Sequence, residues 1–110
     1  MTTIKEWQKQ VYAVAKEKGW HDEGKDKSFG ECIALVHSEL SEALEEYRSG
    51  RETTWYAEDG KPEGIDIELA DAVIRIMDMC EQFGIDLQSA MMVKHEFNKT
   101  RSYRHGNKKI

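Results

Sequence analysis

The sequence predicts an all-α fold, a four-helix bundle-like domain that takes up residues 1–110 as a single domain. In four segments, apolar residues recur three and four positions apart, which is the spacing of one helix face. The alternation of apolar and polar residues that is typical of strands is nearly absent, and the one proline, Pro62, lies between the second and third segments. Four helices joined by short connections favour a bundle.

The first two helices are predicted from their end signals. Residues 3–18 form the first helix, and Gly19 ends it. Residues 28–48 form the second, because Ser28 and Glu31 make an S-x-x-E capping box at its start. The apolar stripe of the second helix consists of Phe29, Ile33, Val36, Leu40, Ala43, Leu44 and Tyr47.

The second half of the chain carries the other two predicted helices. Residues 49–64 are the longest irregular stretch. The third helix is predicted over residues 66–83 and is closed by Gly84. The fourth is predicted over residues 86–101, and a polar basic tail, residues 102–110, follows it.

The charge is unevenly distributed and excludes some classes of partner. The net charge is −5, yet residues 94–110 carry six Lys or Arg against Glu96 alone, which is +5, so residues 1–93 hold −10. A nucleic acid would meet a mostly repulsive surface, so we expect no nucleic-acid partner. No run of about 18 apolar residues occurs, so we expect no membrane span. The charge favours a small anionic ligand that is held locally.

The cysteines and the start of the chain favour a cytoplasmic protein. The first residues, MTTIKEWQKQ, contain no apolar core of a secretory signal. Cys32 and Cys80 lie 48 positions apart within apolar periodic segments, as expected for buried thiols of a reducing compartment.

Two pairs of carboxylates lie at the borders of the apolar stripes on the second and third helices. Glu39 and Glu42 form one pair, Glu68 and Asp71 the other, each at i and i+3 and at a similar offset from its stripe. If the two helices pack side by side, four carboxylates converge on a small volume, where their mutual repulsion is strong. A hard divalent cation, Mg²⁺ or Mn²⁺ in its place, would resolve that repulsion.

The carboxylate pairs also have a simpler interpretation. A single E-x-x-E pair on a helix is usually a solvated face. In addition, Arg75 follows Asp71 by one turn and competes with the metal as an i, i+4 ion pair.

The fourth helix changes from an apolar to a cationic stripe near its end. Lys94, Asn98 and Arg101 continue the line of Leu87, Ala90 and Met91, and Tyr103 and Arg104 follow in the tail. Arg and Lys at a pocket mouth suit phosphate oxygens. The alternative is a frayed basic helix end that the helix dipole favours.

Other motifs carry less weight. Residues 19–25 match G-x-x-x-x-G-K, but Asp26 replaces the Ser or Thr of a phosphate-binding loop and the motif follows a helix. The loop aromatics, Trp20 among them, either stack on a base or cover the edge of the core.

Together these residues resemble the MazG-like branch of the all-α nucleoside triphosphate pyrophosphohydrolase superfamily. Glu39-Leu-Ser-Glu42 and Glu68-Leu-Ala-Asp71, with 25 residues between them, resemble the metal signature of that family. The closing segment is similar to the family's K…N…R…YRHG pattern and contains Lys94, Asn98, Arg101, Tyr103, Arg104, His105 and Gly106. The resemblance covers residues 20–106.

The resemblance implies a hydrolase that acts on a phosphoanhydride. The reaction would be Mg²⁺-dependent cleavage of a (deoxy)nucleoside triphosphate to the monophosphate and pyrophosphate, in housekeeping of nucleotide pools by a homodimer or homotetramer. Glu39, Glu42, Glu68 and Asp71 would hold the metal at the catalytic centre. The substrate would meet Lys94, Asn98, Arg101 and Arg104 at its phosphates, with Tyr103 and Trp20 as the aromatic candidates.

One departure from the family leaves other functions open. Many relatives begin the first motif with two glutamates, whereas Ser38 precedes Glu39 here. The general base is therefore unassigned, and Glu46 is only a weak substitute. A different substrate, such as phosphoribosyl-ATP, and a non-catalytic module that binds a nucleotide or a protein partner are the alternatives.

Overall fold

The protein is α-helical, as the sequence predicts. A computed structural model describes residues 2–51 and 53–110; Met1 and Glu52, the latter inside the predicted irregular stretch, lie outside the described residues. The elements are α1 (Ile4–Glu17), α2 (Phe29–Arg48), β1 (Trp55–Tyr56), β2 (Pro62–Glu63), α3 (Ile65–Gln82), α4 (Leu87–Thr100) and α5 (Arg104–Asn107). Both ends of α1, α2, α3 and α4 lie within one residue of the predicted ends.

The helices begin and end where local chemistry satisfies their backbone. Ser28 and Glu31 form the predicted capping box, with the Ser28 hydroxyl accepting from the Glu31 N–H at 3.2 Å. Thr3 and Glu6 make the same arrangement at α1. Gly84 follows Phe83, the C-terminal cap of α3, at φ +68°, the left-handed conformation that commonly closes a helix. Side-chain caps therefore explain why these boundaries could be predicted.

Two short elements differ from the prediction. The stretch 49–64 contains an antiparallel ribbon in which Trp55 pairs with Glu63 and Tyr56 with Pro62. The tail 102–110 contains the short helical turn α5, in which His105 and Gly106 have positive φ. Strands of two residues are too short to produce a detectable alternation, and a single turn is too short to produce helical periodicity.

Three helices pack together, and the fourth extends from them. α2 packs along α3, and α1 packs on α3, whereas α4 has only a small contact with α1. Gln8 of α1 donates to the Ile85 carbonyl at 3.0 Å, which ties the α3–α4 connection to α1. The radius of gyration is 16.6 Å, against about 13 Å for a compact chain of this length. The predicted four-helix packing is therefore incomplete within one chain.

Much of the apolar surface of the helices is uncovered. Leu44 on the predicted stripe of α2 is 58% exposed, and Val93 on α4 is 73% exposed. The side of α2 that faces α3 carries the buried Glu39 and Ala43 instead. Periodicity identifies an apolar face, but it does not say whether the same chain covers that face. None of the helices described combines the length and the apolarity that crossing a lipid bilayer requires.

Candidate functional site

Three of the four predicted metal ligands lie together where α2 packs on α3. Glu39, Glu42 and Glu68 each offer one carboxylate oxygen, and these oxygens lie within 4.8 Å of one another. Glu39 and Glu68 are buried. The i, i+3 spacing places Glu39 and Glu42 on one face of α2, and the packing of α3 brings Glu68 against that face. Asp71, one turn beyond Glu68, lines the same cavity as Glu39 and Glu42.

The ribbon adds a carboxylate that sequence analysis missed. One oxygen each from Glu46, Glu63 and Glu68 also lie within 4.8 Å of one another. Glu63 is on β2, and Glu46 is held by the Trp55 indole N–H, which donates to it at 3.2 Å. No periodic signal could have placed Glu63, because a two-residue strand has none. Its position five residues before Glu68 was the only available indication.

Gly64 brings the ribbon close to the start of α3. Its φ is +124°, and a Cβ at this position would lie 2.6 Å from the Thr53 carbonyl oxygen. Only glycine fits both this conformation and this approach. Gly64 therefore permits the backbone path that sets Glu63 beside Glu68.

Glu68 is the most strongly perturbed carboxyl group of the site. Burial, together with hydrogen bonding to Glu42 and Glu63, raises the pKa of Glu68 to about 8. Its Oε2 is buried and has no hydrogen-bond partner among the described residues. Burial and the Glu39 charge also raise the pKa of Asp71. An unpartnered oxygen among hard oxygen donors fits a divalent cation such as Mg²⁺.

Two cations lie at this acidic cluster. Arg75 was expected to compete for Asp71, but its Nε donates to Glu39 Oε1 at 2.7 Å. Lys61, which sequence analysis missed, lies 3.2 Å from Glu63 through its Nζ. Both side chains line the same cavity as Glu39. They offset part of the negative charge and would face any anion that approaches the carboxylates.

A cavity of about 690 Å³ extends from the acidic cluster between α1, α2 and α3. This volume is within the usual range for small-molecule sites. Glu42 and Asp71 line one end, and Trp20, Lys27 and Gln82 line the other. The predicted aromatic residue Trp20 therefore shares a cavity with the predicted metal ligands.

A histidine network, also missed from the sequence, fixes the loop that carries Trp20. The His21 ring lies 2.5 Å from Asp26 through Nδ1 and 2.8 Å from Asp78 through Nε2. Burial of His21 opposes its charged form, but the hydrogen bonds to Asp26 and Asp78 outweigh burial and raise its pKa. Tyr12 packs on the ring with 4.3 Å between centroids.

The structure does not bring the predicted phosphate-binding residues to this cavity. The described residues that line it come from α1, α2, α3 and nearby loops, and none belongs to α4. Lys94 and Asn98 line a separate shallow hollow beside His95. Arg101 lies with its guanidinium 5.6 Å from the Phe97 ring, Tyr103 is exposed, and Arg104 donates to the Lys109 carbonyl at 3.2 Å.

Comparison with known proteins adds no assignment. A scan against protein-family models and searches of curated proteins and of solved structures found no match for this chain. The geometry of the site and its chemistry are therefore the basis for the proposal that follows.

Proposed function

We propose that this chain is a Mg²⁺-dependent nucleoside triphosphate pyrophosphohydrolase that releases a nucleoside monophosphate and pyrophosphate. The observation that supports the proposal is the convergence of Glu39, Glu42 and Glu68, the first two of which line a cavity of about 690 Å³. The unpartnered oxygen of Glu68 points to a ligand for these carboxylates, since repulsion alone would favour their separation. The MazG-like resemblance of the same residues indicates the same reaction.

The side chains at the acidic end have distinct proposed roles. Glu39, Glu42, Glu68 and Asp71 hold the cation. Bound there, Mg²⁺ would neutralise charge that develops on the leaving pyrophosphate. Arg75 and Lys61 line the same end and orient the triphosphate by charge-assisted hydrogen bonds. In phosphoryl chemistry, such positioning and electrostatic stabilisation supply most of the catalysis.

We also propose that α4 reaches this site from a second copy of the chain, in a homodimer or homotetramer. Within one chain, Lys94 and Asn98 lie apart from the acidic cavity. Their helix exposes Met92, Val93 and Phe97, and α2 exposes Leu40, Leu44 and Tyr47. The apolar faces provide the buried area for association, and the basic tail complements the acidic body. A second copy would complete both the packing and the phosphate contacts.

One observation favours a second candidate, a module that binds a nucleotide or partner without cleaving it. The Arg75–Glu39 ion pair, at 2.7 Å, already neutralises one of the proposed ligands. Because Arg75 offsets the charge of Glu39, the site can bind an anionic ligand without a metal ion. The two functions differ in whether pyrophosphate is released.

The direct test is release of pyrophosphate from a panel of ribo- and deoxynucleoside triphosphates, with and without Mg²⁺. We expect metal-dependent formation of monophosphate and pyrophosphate, and loss of about 10²–10³-fold in kcat for Glu39→Gln. Glu45→Gln is the matched control, because Glu45 is on the same helix but is exposed and pairs with Arg48. Tight nucleotide binding without turnover would instead support the binding module.

A further inference from the structure

The end of the cavity opposite the carboxylates has its own arrangement of charged and aromatic groups. α2 and α3 run in opposite directions, since Phe29 packs on Phe83 at one end and Glu39 bonds to Arg75 nearer the other. Asp78 lies seven residues beyond Asp71 on α3, about 10.5 Å along the axis. A ribose and a base extend over a comparable distance from a nucleotide's α-phosphate. If the α-phosphate lies near Asp71, the base of the same nucleotide therefore lies near Asp78.

Asp78 is held in one orientation with one oxygen unused. Its Oδ1 lies 2.8 Å from Nε2 of His21, whose other nitrogen bonds to Asp26. The His21 ring, bonded to Asp26 and Asp78, forms what we call the His21 clamp. The His21 side chain is 4% exposed and that of Asp78 27%, so the ring is buried while the Asp78 carboxylate opens to the cavity. Asp78 Oδ2 has no hydrogen-bond partner within residues 2–51 and 53–110. A fixed carboxylate with a free oxygen accepts hydrogen bonds from a ligand that carries N–H groups.

A flat aromatic surface and a cation lie at the same end. Trp20 and Lys27 both line the cavity, and Lys27 Nζ lies 4.8 Å from the Trp20 ring centroid. Gln82 donates to the Lys27 carbonyl at 2.9 Å, which fixes the backbone of Lys27 against α3. Lys27 covers one face of the indole, and because Trp20 is well exposed, the opposite face is free to stack on a planar ring.

We propose that this end of the cavity is a base subsite that selects guanine. The proposal rests on the proposed function, because it takes the acidic end as the phosphate end. Guanine presents one acceptor, O6, beside two donors, N1–H and the 2-amino group. The Asp78 carboxylate accepts from both donors, at its free Oδ2 and at the remaining lone pair of Oδ1, and the open face of Trp20 stacks on the ring. No other common base places two adjacent donors on its Watson–Crick edge. Cytosine and adenine have a ring acceptor beside the amino group, and uracil has a carbonyl on each side of its N–H.

The test compares pyrophosphate release from guanosine, adenosine, cytidine and uridine triphosphates by the full chain with Mg²⁺. We expect kcat/KM for the guanine nucleotide to exceed the others by about 10–100-fold, because a mismatched base leaves the carboxylate unpaired. Turnover with equal rates, or with another base preferred, would overturn the guanine subsite and leave the proposed reaction intact.

A substitution at Asp78 separates base recognition from folding. Asp78→Asn keeps the Oδ1 acceptor for His21 but replaces one acceptor with a donor. We expect it to lower guanosine triphosphate turnover about 10-fold or more and to raise the relative rate with xanthosine triphosphate, which carries a carbonyl in place of the 2-amino group. Asp26→Asn is the control, since it changes the His21 clamp but not the base edge; the ranking of bases should stay the same. A ranking that changes equally in both variants would overturn direct recognition by Asp78.

If no triphosphate is hydrolysed, the proposed function is contradicted but the base subsite is not yet tested. Titration of the wild-type chain with guanosine, adenosine, cytidine and uridine monophosphates then decides it. Binding of the guanine nucleotide about 10-fold tighter than the others supports the subsite. Equal affinity, or no binding of any of the four, overturns it.

Discussion

The α2–α3 pair and α4 use the same kind of amphipathic sequence in opposite ways. Between α2 and α3, carboxylates are buried: Glu68 is 4% exposed. Along α4 the reverse holds, since every residue from 91 to 100 is exposed, Val93 and Phe97 included. Buried carboxylates that outnumber the neighbouring cations, Arg75 and Lys61, and exposed apolar surface are each unfavourable. Under the proposed function, a cation in the first region and a second copy of the chain over the other would resolve both.

Among the effects that compare the two regions, the largest tests whether they belong to one shared site. If α4 of one copy serves the carboxylates of another, Arg101→Ala should lower kcat/KM about 10–100-fold through loss of a phosphate contact. Arg101→Ala and Glu68→Gln chains should each have low activity alone, and mixing them should give more activity than either has. Random exchange into dimers gives up to about one quarter of the wild-type rate, because half of the dimers hold one complete site.

The mixing experiment has a built-in check. Capture of one tagged variant with the other untagged variant establishes that mixed oligomers have formed. Recovery in those oligomers supports a site shared between copies. Mixed oligomers that stay inactive would show that each acidic site depends on its own chain's α4, and a monomeric wild-type chain in light scattering would contradict the shared site directly.

The second prediction concerns the energetic conflict inside the α2–α3 pair. Glu68→Gln removes a carboxylate that burial and its neighbours disfavour as an anion. We expect the variant without Mg²⁺ to be about 1–2 kcal/mol more stable to urea than the wild-type chain at pH 8. Added Mg²⁺ should raise the melting temperature of the wild type but not of the variant.

Exposed carboxylates provide the control for that measurement. Glu45→Gln should change the stability without Mg²⁺ by less than about 0.5 kcal/mol. It should leave the response of the melting temperature to Mg²⁺ unchanged. A Glu68→Gln chain that is less stable than the wild type would indicate that Glu68 serves the fold through its hydrogen bonds. In that case the carboxylate cluster would be structural rather than a metal centre.

The contrast between these regions also explains what could be predicted from the sequence. Helical periodicity and capping residues such as Ser28 and Glu31 are local, so the helix positions and the clustering of Glu39 with Glu68 could be predicted. Glu63 and the His21–Asp78 contact depend on loops, where no periodicity constrains the backbone. The displacement of α4 from the cavity could not be predicted, because an apolar stripe has the same pattern whether its own chain or another covers it.

The smallest expected effect concerns the loop clamp at the far end of the cavity. Because the hydrogen bonds to Asp26 and Asp78 raise the pKa of His21 above 6.5, the folded chain binds its proton more tightly than the unfolded chain does. The stabilisation is fully present below pH 6.5 and is lost as the pH rises through the folded-state pKa. His21→Gln should therefore destabilise the chain by about 1 kcal/mol below pH 6.5 and by less at higher pH.

The difference between wild type and His21→Gln isolates this contribution, since both chains retain the titrating carboxylates around Glu68. Urea unfolding at several pH values measures the difference directly. His37→Gln is the control, because His37 is exposed on α2 and forms no ion pair in the described part of the chain. A destabilisation by His21→Gln that is the same at every pH would mean that His21 acts through its packing against Tyr12 alone. The Trp20 loop would then depend on shape rather than charge, and the clamp would hold Asp78 equally well at every pH.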